Sequence, residues 1–266
     1  MAHVSGLFVY PIKSCRGTAL PHLDITREGP RWDRVWMLVD AESRAATQSR
    51  YPSLAALNIS LAGDELRVES PNLPSLFLSD HPKSNMTPFT ARVGNDTVSV
   101  ISHSPEADAW FSSYLKGAFR LVRLADHSPR VRQKSGYQES FQVALADSTP
   151  FLFASQTSLN DLCQRAGCSI PMDRFRANII VDDLPPFDED HWKHLRIGSV
   201  EFCAFFPCDR CGITTIDQHT GQRDKEPLKT LATFRRREGE VYFGVRAVHR
   251  GEGRIQMGDP VTITRE

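Results

Sequence analysis

The sequence predicts a mostly-β protein of the α+β kind, built in two barrel-like parts with a few peripheral helices. Three observations carry that prediction. Short apolar runs recur at close intervals, each bounded by Gly, Asn, Asp or Pro, the signature of strands and tight turns in a barrel or sandwich. Apolar residues at helical spacing occur in few places. A polar, basic connection at residues 118–140, with Arg130-Val131-Arg132-Gln133-Lys134 inside it, separates two halves that each carry their own strands. We place the parts at 1–122 and 123–266.

Residues 4–10 are an apolar run broken by Pro11, and Gly17 and Pro21 punctuate two short strands of a hairpin or barrel edge. Gly29-Pro30-Arg31-Trp32-Asp33-Arg34 leads into a strand at 35–39, stopped by Asp40. After the polar loop Thr47-Gln48-Ser49-Arg50-Tyr51-Pro52, strands are expected at 54–61, 65–68, 75–78, 88–93 and 96–101. Ser104-Pro105-Glu106 supplies an N-cap, a first-turn proline and an acidic first turn. Ala107, Trp110, Phe111, Tyr114 and Leu115 follow at helical spacing until Gly117. The second half repeats the logic with a strand at 151–154 and a helix at 155–165, Leu159, Leu162 and Cys163 on one face and Gly167 beyond its end. Strands are expected at 178–181, 196–205, 213–216, 242–248 and 254–264. A third helix opens at Glu226-Pro227 with Leu228, Leu231 and Phe234 inward. These apolar stripes are core faces.

Composition narrows the function. Lys+Arg 32 against Asp+Glu 32 leaves no formal net charge, which argues against general affinity for nucleic acid or membrane and leaves a local basic pocket open. No apolar run approaches the ~20 residues that cross a bilayer. Met1-Ala2-His3-Val4-Ser5 has neither a charged start nor an apolar core, so no signal peptide is expected. Six cysteines in such a chain read as free thiols or ligands rather than a disulfide framework. A soluble cytoplasmic protein is expected.

The chemistry concentrates in Phe206-Pro207-Cys208-Asp209-Arg210-Cys211-Gly212, between the apolar run 200–206 and the β-branched run 213–216. Pro207 is expected to end the first strand and Gly212 to turn the backbone into the second. Two cysteines would then sit on a short constrained loop, with Arg210 favouring a thiolate. Half of a zinc site is one reading of the C-x-x-C, although zinc wants four ligands. A thioredoxin-like dithiol is another, although that motif belongs at a helix start. A single ligating or nucleophilic thiolate beside a structural cysteine is the third.

Lys13, Arg34 and Arg176 lie in or beside apolar stretches. Each reads as a strand-end cation or as part of an anion pocket, where arginine forks match phosphate and lysine supplies a point charge. Ser14, Ser148 and Thr149 could complete such a pocket, while Asp147-Ser148-Thr149-Pro150 also reads as a simple turn. His191 and His194 share a segment without metalloprotease spacing, and no G-x-G-x-x-G, P-loop or G-x-S-x-G occurs.

Several of these pieces occur in one order: Tyr10-Pro11-Ile12-Lys13-Ser14-Cys15-Arg16-Gly17, Asp33-Arg34-Val35-Trp36, Phe175-Arg176-Ala177-Asn178, the C-x-R-C loop through Thr214-Thr215-Ile216-Asp217, Glu226-Pro227-Leu228, Phe243-Gly244 and Gly258-Asp259-Pro260-Val261. This order resembles MOSC-domain proteins with a MOSC N-terminal β-barrel, the group of the amidoxime-reducing components and of bacterial relatives that detoxify N-hydroxylated bases. The resemblance implies a MOSC β-barrel beside the N-terminal barrel and a molybdenum cofactor, Mo-molybdopterin. It makes Cys211 the catalytic residue and molybdenum ligand. Lys13, Ser14, Arg34, Asp147, Thr149 and Arg176 fall on cofactor-binding positions, with Asp209, Arg210 and Arg246 as further contacts. Asp209 stands where the family often has Ser, and Arg246 where relatives often carry a polar or aromatic residue. The implied activity is reduction of amidoximes, hydroxylamines or N-hydroxylated bases. The cysteine spacings fit no iron–sulfur run, so electrons are expected from a separate iron–sulfur, flavin or haem carrier. The rival reading is a sulfur or molybdopterin carrier without redox turnover of its own.

Overall fold

A computed structural model describes residues 1–79, 87–134, 137 and 139–265. The architecture is mostly β, with three α-helices among the described residues. The largest sheet runs in the order Thr18–Ala19, His3–Val9, Ile179–Asp182, Phe151–Ser155, Glu240–Arg250, Val200–Asp209, Trp192–Ile197, Val261–Arg265. The first strand of the chain, His3–Val9, pairs antiparallel with Ile179–Asp182. The backbone N–H of Val4 donates to Asp259 and that of Val261 to Ala2, both at 2.9 Å, so the last strand meets the first and the sheet curls toward closure. A four-stranded sheet (Trp36–Val39, Arg120–Leu124, Asp96–Ser102, Phe89–Val93) and a three-stranded one (Asn58–Ala62, Glu65–Ser70, Leu73–Ser79) make up most of the N-terminal half.

The helices follow their capping chemistry. Helix α1 (Pro105–Leu115) is capped by Ser104, whose side chain accepts from Ala107 N, and it ends at Lys116 in the left-handed region. Helix α2 (Gln156–Ala166) is capped by Ser155 and closed by Gly167 at φ 67°. Leu159 and Leu162 of α2 and Leu231 of α3 (Leu228–Phe234) pack with Phe175 and Phe243, whose rings stack at 4.0 Å. Each such buried side chain contributes roughly 1.5–3 kcal/mol. The layer holds the strand Glu240–Arg250, which pairs with the strand carrying Cys208, against the turn carrying Arg176.

Five local expectations need correction. The run 54–61 is not one strand: Pro52–Ala56 is a 3-10 turn, favoured by its leading proline, and the strand is Asn58–Ala62. The run 196–205 spans two antiparallel strands, Trp192–Ile197 and Val200–Asp209, because Gly198 turns the chain at φ 57°. The run 254–264 likewise divides into Gly253–Gln256 and Val261–Arg265 around Gly258 at φ 85°. Pro207 does not end its strand, which continues to Asp209. Register shifts flank Pro207 on the side of Glu240–Arg250, and pairing on the other side stops at Cys203, so its missing N–H breaks no regular ladder. Finally, residues 213–216 are not a strand. Gly212–Thr215 is a 3-10 turn, tightened by Thr214 Oγ1 donating to the Cys211 carbonyl at 3.0 Å and Thr215 Oγ1 to that of Gly212 at 2.8 Å. Gly212 has no positive φ and a Cβ there would meet nothing within 4 Å, so the turn does not depend on glycine.

Candidate active site

Strand ends and turns from both halves converge on one cavity of about 290 Å³. Lys13 and Ser14 come from the turn after the first strand, and Arg34 from the turn before Trp36–Val39. Asp147 and Thr149 precede Phe151–Ser155, Arg176 precedes Ile179–Asp182, and Arg246 lies within Glu240–Arg250. Asp209, Arg210 and Cys211 end the strand Val200–Asp209 and enter the loop. Every candidate residue singled out in the sequence lines this cavity.

Three of these residues hold non-glycine backbone in the left-handed region: Ser14 at φ 68°, Arg34 at 51° and Arg176 at 57°. Such conformations cost of order 1 kcal/mol or more each and persist only where surroundings enforce them. Here the enforcement is visible. Arg34 N donates to the Tyr10 carbonyl at 2.8 Å and Arg176 N to that of Asp173 at 3.2 Å. Asn178 ties the turns together, donating from Nδ2 to Asp33 Oδ1 (3.0 Å) and Phe8 O (3.2 Å) and accepting at Oδ1 from Leu152 N (3.2 Å) and Arg34 Nη1 (3.3 Å).

Five cations (Lys13, Arg34, Arg176, Arg210, Arg246) face two carboxylates (Asp147, Asp209) across the cavity lining. Arg34 and Arg176 each place a guanidinium 4.3 Å from the Tyr10 ring centroid. Their partners differ. Arg34 is ion-paired with buried Asp33 at 2.5 Å. Arg176 has no carboxylate partner among the described residues; its Nη1 donates to the Cys15 carbonyl at 2.6 Å. Burial, and then the like charge of Arg34, push Arg176 down to about 10, so it stays charged near neutrality at a cost that a bound anion would relieve. Burial also drives Lys13 below the usual amine range, opposed by its ion pair with exposed Asp147. Arg246 is held by Asp209 at 2.6 Å. The two residues that depart from the family pattern are thus partners.

The cysteines separate cleanly. Cys15 is buried and pushed up to about 12 by burial, an inert thiol. Cys208 is buried, and Arg210 Nη1 donates to its sulfur at 2.9 Å while Nη2 donates to Phe175 O at 2.5 Å. Of the two cysteines that the sequence set beside Arg210, Cys208 is therefore the one it serves. Cys211 is exposed, and its sulfur has no hydrogen bond among the described residues. Of the cysteines, only Cys208 and Cys211 line the cavity. No group of three or more His, Cys, Asp or Glu among the described residues could hold a metal by itself, so the C-x-x-C finds no further zinc ligands there.

The MOSC N-terminal beta barrel domain matches residues 1–118 and the MOSC domain residues 140–262. The chain belongs to the MOSC family. This MOSC protein is 33% identical over 276 residues to mitochondrial amidoxime reducing component 2 of Bos taurus, covering 97% of this chain and 82% of that one. It is 31% identical over 278 residues to mitochondrial amidoxime-reducing component 1 of Homo sapiens, covering 98% and 82%. A molybdenum cofactor sulfurase of Oryza sativa subsp. japonica is 29% identical over 263 residues, covering 91% of this chain and 32% of that protein.

The residues present fit an anionic cofactor. Besides the cation surplus, two polar atoms on the cavity wall, Ser148 Oγ and Arg210 Nε, are buried without a hydrogen-bond partner, a state that proteins keep mainly where a ligand or ordered water completes it. Sequence reasoning missed Gln48 as part of this cavity, and took Asn178 only as the end of the motif Phe175-Arg176-Ala177-Asn178. Neither has a charge to flag it, and Gln48 stood in what read as an ordinary polar loop.

Proposed function

We propose that this chain is a molybdenum-cofactor-binding oxidoreductase that reduces N-hydroxylated substrates, amidoximes, hydroxylamines or N-hydroxylated bases, with electrons from a separate carrier protein. The observation that carries the reading is the meeting of an exposed, uncommitted Cys211 thiol with a surplus of cations, buried Lys13 and four half-buried arginines, in one cavity, in a chain of this family. When bound, the cofactor would supply the two-electron chemistry that takes up the substrate oxygen.

The chain's own residues do the rest. Arg176 and Lys13 hold the anionic end, Ser148 Oγ and the Ser14 turn complete its hydrogen bonds, and Asn178 keeps Arg34 and Asp33 in register. Cys211 is the sulfur free to anchor a metal, because Cys208 is already engaged by Arg210. The ion pair of Asp209 and Arg246 offsets part of the positive field beside Cys211.

The test is elemental analysis of the purified protein together with reduction of an N-hydroxylated amidine. Near-stoichiometric molybdenum and turnover with dithionite-reduced viologen are expected, with none from NADH or NADPH alone. Molybdenum without any such reduction favours the second reading, a carrier of sulfur or molybdopterin, which draws support from the sulfurase relative that matches 91% of this chain.

A further inference from the structure

We propose that Gln48 and Gln218 form a positioning clamp through which the N-terminal half of the chain sets the placement of Cys211. This deepens, and rests on, the reading of Cys211 as the site's working thiolate. Both side chains are buried, at 0% and 1% exposure. Gln48 Nε2 donates to Gln218 Oε1 at 2.9 Å, and Gln218 Nε2 donates back to Gln48 Oε1 at 3.3 Å and to Ile216 O at 2.9 Å. Gln48 itself lines the cavity.

The loop between Cys211 and Gln218 is tied to itself and so moves as a unit. Thr214 N and Oγ1 donate to the Cys211 carbonyl. Asp217 Oδ1 accepts from His219 N, Thr220 N and Thr220 Oγ1 at 2.9–3.0 Å; from outside the loop, Arg174 on the turn Met172–Phe175 pairs with Asp217 Oδ2 at 3.1 Å and braces its middle. One end of this unit is pinned in the barrel, where Arg210 N donates to Val241 O at 2.7 Å. The amide pair pins the other. Two contacts reinforce it: Arg223 Nη2 donates to Ser49 O at 2.6 Å, and Gly221, at φ 72°, lies so close to Pro52 that a Cβ would come within 2.8 Å of the Pro52 carbonyl. Cys211 lies between the Arg210 anchor and the amide pair, so its direction into the cavity depends on both.

A reciprocal amide pair suits this task. Removing one partner leaves the other buried and unpaired, whereas replacing both by apolar groups of the same shape is nearly neutral. The experiment uses Gln48→Met, Gln218→Met, the double variant and Arg223→Ala, which removes an exposed strut and spares the buried pair. Hydrogen exchange of the peptide spanning 211–223 is measured on cofactor-free protein, so the outcome stands apart from the reductase reading. Each single Met variant should exchange about 5- to 150-fold faster there, with peptides of α1 unchanged, and the double variant should return most of the way. Arg223→Ala should show a smaller rise. In cofactor-loaded protein, kcat should fall in the single variants with KM for the N-hydroxylated amidine little changed. Wild-type exchange at 211–223 in every variant that folds, Arg223→Ala included, overturns the clamp. So does a double variant as fast as the singles, because then the pair was not coupled.

Discussion

Adding an anion should stabilise this protein through Arg176, and the effect can be sized. Arg176 lies half-buried over the Tyr10 ring, faces the like charge of Arg34 and lacks a carboxylate partner among the described residues. A ligand such as pyrophosphate, present at about 100 times its Kd, stabilises the folded state by about 2.7 kcal/mol. For a chain of this size, 1 kcal/mol moves Tm by roughly 2–4 °C, so the cofactor-free protein should gain about 5–10 °C. Removing the guanidinium in Arg176→Gln deletes a charge-assisted bond of about 1.5–3 kcal/mol, a loss of roughly 10- to 150-fold in affinity. At the same pyrophosphate concentration the remaining stabilisation is about 0.3–1.4 kcal/mol, a shift of about 1–6 °C. Differential scanning fluorimetry, with chloride at matched ionic strength as the reference, reads both numbers. Equal shifts in wild type and Arg176→Gln, or pyrophosphate no better than chloride, would refute the anion pocket.

Two further outcomes test other parts of the molecule. Cys211→Ser should abolish turnover with the far-UV circular dichroism unchanged, while Cys208→Ser should lose much less; equal losses would mean that both sulfurs serve one structural role. Glu189 is fully buried, bonded to Ser158 Oγ at 2.7 Å, and burial raises it to about 7. A raised carboxyl favours the protonated folded state, so stability is full below the unfolded value of 4.5 and declines as pH rises toward 7, by about 3 kcal/mol. Urea titrations should show Glu189→Gln gaining stability relative to wild type between pH 5 and pH 8; a constant difference would show that Glu189 does not titrate there.

Much of the site was legible because its chemistry is carried by residue types that are conspicuous in their setting. Lys13, Arg34 and Arg176 interrupt or border apolar runs, and the C-x-R-C loop follows one. Helices α1 and α2 were legible from caps and stripes, which act locally. The failures were of two kinds. Residues 213–216 have β-branched character, yet the hydroxyls of Thr214 and Thr215 bond back to carbonyls three residues earlier, and such local bonds compete with a ladder. Pro207 looked like a terminator because a proline removes a donor, but whether that donor is needed depends on which neighbouring strand stops short, and that is tertiary information.

The deeper gap concerns backbone direction. Ser14, Arg34 and Arg176 are the residues that sequence chemistry selected, and each occupies a left-handed conformation that its own type disfavours. Composition gives no sign of this, since no glycine marks these positions. The strain is held by Tyr10, Asp33 and Asn178, contributed by segments far apart in the chain. Turning at these points brings three polar side chains from separate strands into one small cavity, where extended continuations would carry each along its own strand. It also explains why the first strand belongs to the large sheet: Asn178 reaches Phe8 and Asp33 together only because His3–Val9 lies beside Ile179–Asp182. The N-terminal half therefore contributes to this site twice, through Lys13, Ser14 and Arg34 on one wall and through Gln48 on the loop that carries Cys211. A C-terminal fragment without it would retain the C-x-R-C loop but lose Lys13, Ser14 and Arg34, the Asp33 contact to Asn178, and the contact that fixes the far end of the loop.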